Sequence, residues 1–332
     1  MTADAMERRP GADRRARVWS GLARQGVLAA LLLLILFGAL RYENFLGAYN
    51  VLSVLRYNSM FALVALGMCF VIMTGGIDLS VGAVAAMASV VSALLSPLGL
   101  TPALLGGVGA GLLAGLLNGL VIVRLGILPF IATLATMLAA QGTALLLADN
   151  QSVSVSWDGL FVELGQGDLL GLPIPALLAA AAFALGSVML NYTGFGRTVL
   201  AIGDNEEAAR LMGLPVDRVK LGVYALSGAL AGLAGVVLAS QFGAGQPTEG
   251  IGWELFAIAA VVVGGTLLTG GVGSVGATLS GVLLLGLIFN ILNFENGRGS
   301  ISLSAYWQSV VRGLVLLVVV VLQSRLTGRR AS

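Results

Sequence analysis

Long stretches without a charged residue are the feature of this sequence that most restricts how the chain can fold. No charged residue lies between Leu79 and Val123, or between Leu255 and Phe294. Charged residues make up 10% of the chain and hydrophobic residues 58%, whereas soluble domains carry about 25% charged residues. So few charges cannot cover a water-facing surface, and a disordered chain has the opposite composition. The sequence therefore predicts an all-α membrane protein that crosses the bilayer several times.

The apolar runs divide into about ten predicted transmembrane helices. A helix needs about 20 apolar residues to cross the hydrocarbon core, so the two longest runs must each contain a break. We expect the breaks at 96–102, which contains two prolines, and in the glycine cluster 269–276; such glycine-rich breaks can be re-entrant. The predicted spans are roughly 25–41, 52–73, 79–96, 102–123, 127–148, 169–190, 220–241, 253–269, 275–293 and 303–323.

The basic residues indicate how these spans are oriented. With an even number of spans both termini lie on one side, and placing them in the cytoplasm puts 14 of the 18 basic residues there. This bias follows the positive-inside rule. The predicted organisation is a basic cytoplasmic tail at 1–24, a transmembrane domain at 25–324 with a cytoplasmic loop at about 191–219, and a cytoplasmic tail at 325–332.

The residue types that are missing exclude several kinds of chemistry. The chain has no histidine and a single cysteine, Cys69, which excludes a disulfide framework, a zinc site and histidine-based catalysis, so no metal site is predicted. The single lysine, Lys220, is followed by leucine, so no phosphate-binding loop ending in Lys-Ser or Lys-Thr is present. If the activity is driven by ATP, the ATPase must be a separate chain. A net charge of +2 gives no indication of nucleic-acid binding.

Two predicted spans carry small residues at helical spacing, and small residues let helices in a membrane pack closely. The fourth span has Gly107, Gly111, Gly115 and Gly119, and the seventh has Ser227, Gly228, Ala231, Gly232 and Gly235. We expect tight helix packing at both. A sliding seam used in gating is the alternative.

One short motif occurs twice in the sequence. Thr74-Gly75-Gly76 followed by 80–83 is similar to Thr269-Gly270-Gly271 followed by 274–277, with one gap. Many transporters contain repeated halves, but the span count places both copies at cytoplasmic ends, which would make the repeat parallel rather than inverted. The similarity is therefore either coincidental or a sign that a span is misassigned.

The longest polar loop predicts a short helix on the cytoplasmic surface. Asp204 or Asn205 can cap its start, two glutamates follow in the first turn, and Gly213 and Pro215 end it after about two turns. Its small and apolar face suits insertion into a groove on another protein; this face comprises Ala208, Ala209, Leu211 and Met212. An ordinary amphipathic connector is the alternative.

Three stretches of the chain resemble a known family. Residues 207–213 contain Glu-Ala-Ala, three residues and Gly, the core of the loop signature of ABC importer permeases, although the usual continuation is not found at 223–226. In this order, Gly75–Gly82, Gly196–Gly213 and Ala257–Thr266 resemble the ribose, xylose and galactofuranose type of sugar permease in the branched-chain amino-acid and sugar permease family. The resemblance covers roughly 50–323.

The resemblance implies the permease subunit of a bacterial sugar importer in the inner membrane, with an ABC importer permease fold, no enzymatic activity and no cofactor of its own. It also implies a second permease copy, identical or paralogous, a separate ATPase that binds ATP and Mg²⁺, and a periplasmic binding protein that delivers a monosaccharide. The residues expected to contact the ATPase are Gly196, Arg197, Gly203, Asn205, Glu207, Ala208, Ala209 and Gly213.

Ionisable residues in the spans are further candidates, because charges in a bilayer are costly and are usually paired or functional. Asp78 is expected to cap the third span by accepting from Ser80 or Val81, or to line the pathway where glycines break the helix. Glu254 with Trp253 is expected at the membrane interface, or as a rim contact to the sugar or the binding protein. Arg312 in the tenth span is expected to pair with a carboxylate or helix-end carbonyls.

A neutral sugar needs hydroxyl and amide partners and a surface on which to stack. The candidates in the spans, besides Ser80, are Asn118, Phe130, Thr133, Thr136, Gln141, Phe289 and Asn290. For each polar residue of this set, an interhelical hydrogen bond is the alternative. Outside the spans, Arg41, Arg56 and Arg298 are candidates for pairing with acidic residues of the binding protein, or are solvated.

Three other functions are alternatives to a sugar permease. A branched-chain amino-acid permease would need a positive group or an open helix N-terminus for the substrate carboxylate, and only Arg312 offers the charge. An ion-coupled secondary transporter would use Asp78, Glu254 and Arg312 as a relay, but would have no use for the docking loop. An intramembrane enzyme lacks histidine and a pairing of nucleophile and base in this sequence.

Overall fold

A computed structural model describes the backbone of residues 11–297 and of positions 307, 310, 313, 314 and 317, with side chains from Gly26 onward. The helices of 11–297 are α1 (Gly11–Arg41), α2 (Ala48–Met73), α3 (Val81–Leu95), α4 (Leu100–Leu125), α5 (Pro129–Leu147), α6 (Phe161–Gln166), α7 (Ile174–Tyr192), α8 (Gly194–Asp204), α9 (Glu206–Leu211), α10 (Val216–Phe242), α11 (Trp253–Val263) and α12 (Val275–Gly297). The strands there are β1 (Val153–Ser154), β2 (Asp168–Leu169), β3 (Leu172–Pro173) and β4 (Ala244–Gly245).

Within the described residues, 7 helices are long and apolar enough to cross a membrane. They are α2, α3 with the 3-10 turn Ser96–Leu98 that continues it, α4, α5, α7, α10 and α12. The predicted first and eighth spans correspond to the shorter apolar segments Gly26–Arg41 and α11. The predicted tenth span, 303–323, lies outside the described residues apart from five positions. Arg298 and Arg312 also lie outside the described residues. The chain is thus an all-α polytopic membrane protein.

Two predicted boundaries are wrong. The sixth span was expected from 169, but α7 begins at Ile174, because β2 and β3 form an antiparallel hairpin with Asp168 opposite Pro173. The eighth was expected to reach 269, but α11 ends at Val263, where two glycines follow. α1 begins at Gly11, and its apolar part, Gly26–Arg41, agrees with the predicted first span. Hydropathy alone cannot separate a helix from an apolar hairpin or a glycine-rich break.

Helices α2 and α10 form the centre of the bundle. Every residue of α2 from Ala62 to Met73 is buried, and this helix packs against α7, α10, α11 and α12. α10 packs in turn against α3 and α4. Because α2 is hydrophobic around its whole circumference from Ala62 to Met73, this part can be enclosed by other helices rather than by lipid.

The glycines of α4 and α10 form one shared interface. A Cβ atom built on Gly111 would lie 2.7 Å from the Cα of Gly232, and one built on Gly228 would lie 2.8 Å from the Cα of Gly115. Side chains cannot approach a neighbouring backbone this closely, so only glycine fits. The predicted tight packing is confirmed, and the two sets of small residues prove to be partners.

The bundle has two ends. The first, named the α8–α9 end, comprises α8, α9 and the start of α10. The second, named the hairpin end, comprises the loop 148–173. At this end β1 pairs antiparallel with β4, with Val153 opposite Gly245, and β2 pairs with β3.

Candidate functional site

A short helix at the α8–α9 end presents an exposed apolar pair. The Oδ1 atom of Asn205 accepts a hydrogen bond from the backbone N–H of Ala208 at 2.9 Å and caps the start of α9. Gly213, with φ of 76°, follows the helix and ends it. The side chains of Leu211 and Met212 are 84% and 68% exposed. The predicted short capped helix is therefore confirmed.

The exposed face of α9 differs from the predicted small face. Ala209 is fully buried, because α9 lies against the start of α10 and turns this side inward. Glu207 and Gly213 are exposed, and Ala208 is half-buried. The exposed apolar surface of α9 is therefore the tip, Leu211–Met212, rather than the alanines.

Ion pairs fasten α9 to α10 in this position. Glu206 lies 2.6 Å from Lys220 and 3.0 Å from Arg210, and Arg210 also lies 2.6 Å from Asp217. Burial raises the pKa of Glu206, but the hydrogen bonds and charges of Lys220 and Arg210 outweigh it, and the pKa lies below its ordinary value. Hydrogen bonds to Asp217 and Glu206 raise the pKa of Arg210. The network therefore holds α9 in place within the chain itself.

Helix α8 connects this surface to the membrane-embedded core. Its residues Val199 and Ile202 are buried, whereas Arg197 is exposed and Gly196 packs against the backbone of Leu190. A Cβ atom on Gly203 would overlap the carbonyl oxygen of Met73 and the backbone nitrogen of Gly271. The end of α8 therefore touches the segments that follow α2 and α11.

The two copies of the repeated motif meet at this point. The backbone N–H of Gly271 donates to the carbonyl of Met73 at 3.0 Å. A Cβ atom built on Gly270 would lie 2.7 Å from the backbone nitrogen of Gly75. The similarity therefore marks two helix breaks that pack against each other beside Gly203.

A buried hydrogen-bond network gathers several of the predicted pathway residues at the break 74–80. Asp78 Oδ1 accepts from the backbone N–H of Ser80 at 3.0 Å and from its hydroxyl at 2.6 Å, and Asp78 Oδ2 accepts from the Ser227 hydroxyl at 2.8 Å. The Asn118 amide donates to Ser80 Oγ at 3.0 Å, and the Thr136 hydroxyl donates to Asn118 Oδ1 at 2.6 Å. These contacts join α3, α4, α5 and α10.

Thr133 holds the same break from α5, because its Oγ1 accepts from the backbone N–H of Leu79 at 3.1 Å. The expectation that the Asp78 carboxylate accepts from Ser80 at the start of α3 is confirmed, although Ser80 itself occupies the N-cap position. The second carboxylate oxygen of Asp78 binds Ser227 of α10. Asp78, Ser80, Asn118 and Thr133 are all buried. Sequence reasoning assigned Ser227 only a packing role; a hydroxyl among glycines and alanines was the signal of a polar partner.

Two other predicted residues hold the segment between α10 and α11. The Gln141 amide donates to the carbonyl of Pro247 at 2.7 Å, and Glu254 Oε1 accepts from the backbone N–H of Gly252 at 3.2 Å. Trp253 is only 5% exposed and packs against Phe61, with a centroid distance of 4.9 Å. Trp253 is therefore packed inside the protein rather than exposed as a belt residue, and the depth of Trp253 and Glu254 in the membrane stays a prediction.

A cavity of about 370 Å³ lies between α2, α11 and α12, within the range of about 300–1,000 Å³ that small-molecule sites occupy. It is lined by Ser53, Val54, Tyr57, Asn58, Phe61, Phe256, Gly286, Phe289, Asn290 and Asn293. Asn290 exchanges hydrogen bonds of 2.8 and 3.2 Å with Asn50. Of the predicted aromatic residues, Phe289 lines the cavity, whereas Phe130 is 54% exposed on α5. Amides and aromatic rings without a charge suit a neutral polar ligand.

The two described arginines predicted for docking are paired within the chain at the hairpin end. Arg41 lies 3.7 Å from Glu295, and Arg56 lies 2.6 Å from Asp168. These carboxylates supply a partner for both guanidinium groups before any binding protein arrives.

Comparisons with known sequences find similar proteins over most of the chain. The sequence model of the family described as branched-chain amino acid transport system, permease component, matches residues 50–320. The chain is 41% identical to the ribose import permease protein RbsC of Bacillus subtilis (strain 168), over 92% of this chain and 94% of that protein. It is also 41% identical to the L-arabinose transport system permease protein AraH of Escherichia coli (strain K12), over 92% of this chain and 90% of that protein. No solved structure matches the chain significantly.

Proposed function

Because this chain belongs to the family of permease components of branched-chain amino acid transport systems, we propose that it is the membrane-spanning permease subunit of an ABC importer for a monosaccharide. It is a multi-pass protein of the inner membrane and a transport subunit rather than an enzyme. ATP and Mg²⁺ are bound by a separate ATPase, and a periplasmic binding protein delivers the sugar. A second permease copy, identical or paralogous, completes the pathway.

The observation that carries this proposal is the similarity to ribose and L-arabinose permeases over more than nine tenths of the chain. The cavity between α2, α11 and α12 supports a neutral substrate, since its lining contains no basic residue. A branched-chain amino acid would need a cation or an open helix N-terminus for its carboxylate. The sugar is therefore favoured over the amino acid.

The proposed topology has ten spans with both termini in the cytoplasm. The α8–α9 end then faces the cytoplasm, where the bias of basic residues places it. The hairpin end faces the periplasm and receives the binding protein. In this orientation the exposed tip Leu211–Met212 docks on the ATPase, and nucleotide-driven movement of that ATPase reaches the core through α8.

Copurification from native membranes tests the proposed partner. The wild-type chain should retain an ATPase, and Leu211→Glu should lose it, because a charge replaces an apolar side chain at the tip. Leu170→Glu is the matched control: Leu170 is 95% exposed but lies at the hairpin end, so the ATPase should remain bound. Retention by Leu211→Glu would contradict docking at this tip.

Uptake measurements separate the importer from the ion-coupled alternative. Import of radiolabelled D-ribose or L-arabinose should stop when ATP is depleted and should continue when the proton gradient alone is collapsed. The reverse pattern would support a secondary transporter. The buried network offers little to such a relay, because the carboxylate of Asp78 is enclosed by hydroxyl and amide donors.

A further inference from the structure

The segment that joins α10 to α11 runs from the hairpin end into the bundle along α3. A Cβ atom built on Gly245 would lie 2.9 Å from the Cβ of Ala93, near the end of α3. Further on, the backbone N–H of Gln246 donates to Ser89 Oγ at 3.0 Å, and Gly250 packs against the backbone of Gly82 in the first turn of α3. The segment 244–252 thus follows α3 in reverse over about three turns.

The inner end of this segment lies deep in the membrane. From Gly82 to Leu98, the end of the 3-10 turn after α3, the path is about 24 Å at about 1.5 Å per residue. From the other side, the break that precedes α3 is bound to Ser227, about 16 Å along α10 from its start at Val216. Because the hydrocarbon core is about 30 Å thick, Gly250 lies well inside it.

At this depth the segment exposes polar groups. Thr248 and Glu249 are both exposed, followed by Ile251 at 75%. No salt bridge or side-chain hydrogen bond to Glu249 occurs within the part of the chain that the structure describes. Irregular backbone and an ionisable side chain at membrane depth occur where they are covered by protein or line a water-filled cavity, and not where they face lipid.

Hydrogen bonds and a close backbone contact hold the segment in place. The exposure of Thr248 and Glu249 is therefore not that of residues in a loose loop. Gln141 of α5 holds the carbonyl of Pro247, and Glu254 holds the N–H of Gly252. Between them Gly250, with φ of 86°, turns the chain against Gly82. Gln141 and Glu254 are thus positioning residues: they hold the backbone on either side of Thr248 and Glu249, whose side chains are exposed.

We propose that Thr248 and Glu249 face the water-filled translocation pathway and that the Glu249 carboxylate accepts hydrogen bonds from hydroxyl groups of the transported sugar. An ionised carboxylate is purely an acceptor with two oxygens, and a monosaccharide offers several hydroxyl donors. Hydrogen bonds to a charged acceptor are stronger than neutral ones. The same charge disfavours anionic substrates. This inference rests on the proposed function, which supplies the sugar.

Cysteine labelling tests whether the segment lines an aqueous pathway. The only native cysteine, Cys69, is buried, so Thr248→Cys and Glu249→Cys add single accessible thiols. A hydrophilic methanethiosulfonate reagent should label both in membrane vesicles that contain the complete importer. Leu113→Cys is the control, because Leu113 is 63% exposed on α4 between Gly111 and Gly115, and its thiol should face lipid and stay unlabelled. Unlabelled 248 and 249 positions, or labelling no faster than the control, would overturn the proposal.

Uptake kinetics test the contact with sugar. With D-ribose or L-arabinose as the probe, Glu249→Ala should lower the uptake rate about tenfold, as expected for a lost hydrogen bond to a charged group. Glu249→Gln keeps one acceptor oxygen and should lose less, and both variants should keep the bound ATPase. Wild-type uptake by Glu249→Ala would refute the sugar contact. A wild-type complex that imports no monosaccharide would instead contradict the proposed function and the sugar contact together, while labelling still decides whether the segment lines a pathway.

Discussion

At the scale of single residues, Asp78 shows how a carboxyl group is accommodated inside the bundle. The described residues place no cation beside its carboxylate; three donors from Ser80 and Ser227 fill its two oxygens instead. Leaving such donors unpaired in a buried site costs about 1–3 kcal/mol per group. The position of the break between α2 and α3 thus depends on a side chain that reaches α10.

Replacing Asp78 should therefore destabilise the fold through the unpaired donors. Asp78→Ala removes both acceptor oxygens, and we expect a loss of about 2–4 kcal/mol. Asp78→Asn keeps one oxygen, and its amide can donate to the Ser227 hydroxyl, so the loss should be smaller. Thermal unfolding of the purified protein in detergent measures both. Equal unfolding temperatures for the two variants would contradict this account.

The ion pairs of Glu206 predict how the attachment of α9 to α10 depends on pH. Since its pKa lies below the ordinary value, its carboxylate stabilises the attachment of α9 at neutral pH, and this contribution is lost as pH falls through the lowered pKa. Glu206→Gln should therefore speed hydrogen exchange of the α9 amides at pH 7. The difference from wild type should shrink in acid, where both side chains are neutral. A difference that is independent of pH would show that the ion pairs do not hold α9.

At the scale of elements, the helices that could be predicted from the sequence are those marked by a long apolar run or by a local capping residue. The charge-free runs located the long helices, because a span needs only length and hydropathy, and Asn205 capped α9 as expected because capping is local. The hairpin at 168–173 was missed, since Leu169 and Leu172 are as apolar as a helix start. The path of segment 244–252 into the bundle was missed too. It depends on the packing of Gly250 against Gly82, and these two residues are far apart in sequence.

The glycine interface between α4 and α10 gives a matched pair of substitutions. Gly115→Ala would place a methyl group against the carbonyl of Tyr224 and 3.0 Å from the Cα of Gly228, and backbone cannot yield as a side chain does. We expect a loss of about 1–3 kcal/mol. Gly109→Ala on the same helix meets no atom within 4 Å and should be neutral or slightly stabilising. Equal yields of folded protein from both variants would contradict the interface.

At the scale of the whole molecule, direct contacts connect the tip proposed for docking, Leu211–Met212, to the membrane core. The exposed tip lies on α9, ion pairs join α9 to α10, and α8 ends against the two glycine-rich breaks. These breaks precede α3, which packs against the segment 244–252, and α12, which lines the cavity. A displacement of α8 by a docked ATPase would therefore act directly on the points where the helices are interrupted.

Gly203→Ala tests this continuity without touching the docking tip. Its methyl group would overlap the Met73 carbonyl and the Gly271 nitrogen, and overpacking of this kind costs about 1–3 kcal/mol, so α8 must shift away from the breaks. We expect the ATPase to copurify as with wild type while sugar uptake falls. Gly194→Ala is the control on the same helix, since the nearest atom to its methyl group is the Arg197 side chain at 3.9 Å. Unchanged uptake in Gly203→Ala would mean that force reaches the core by another route, with the salt-bridged start of α10 as the remaining connection.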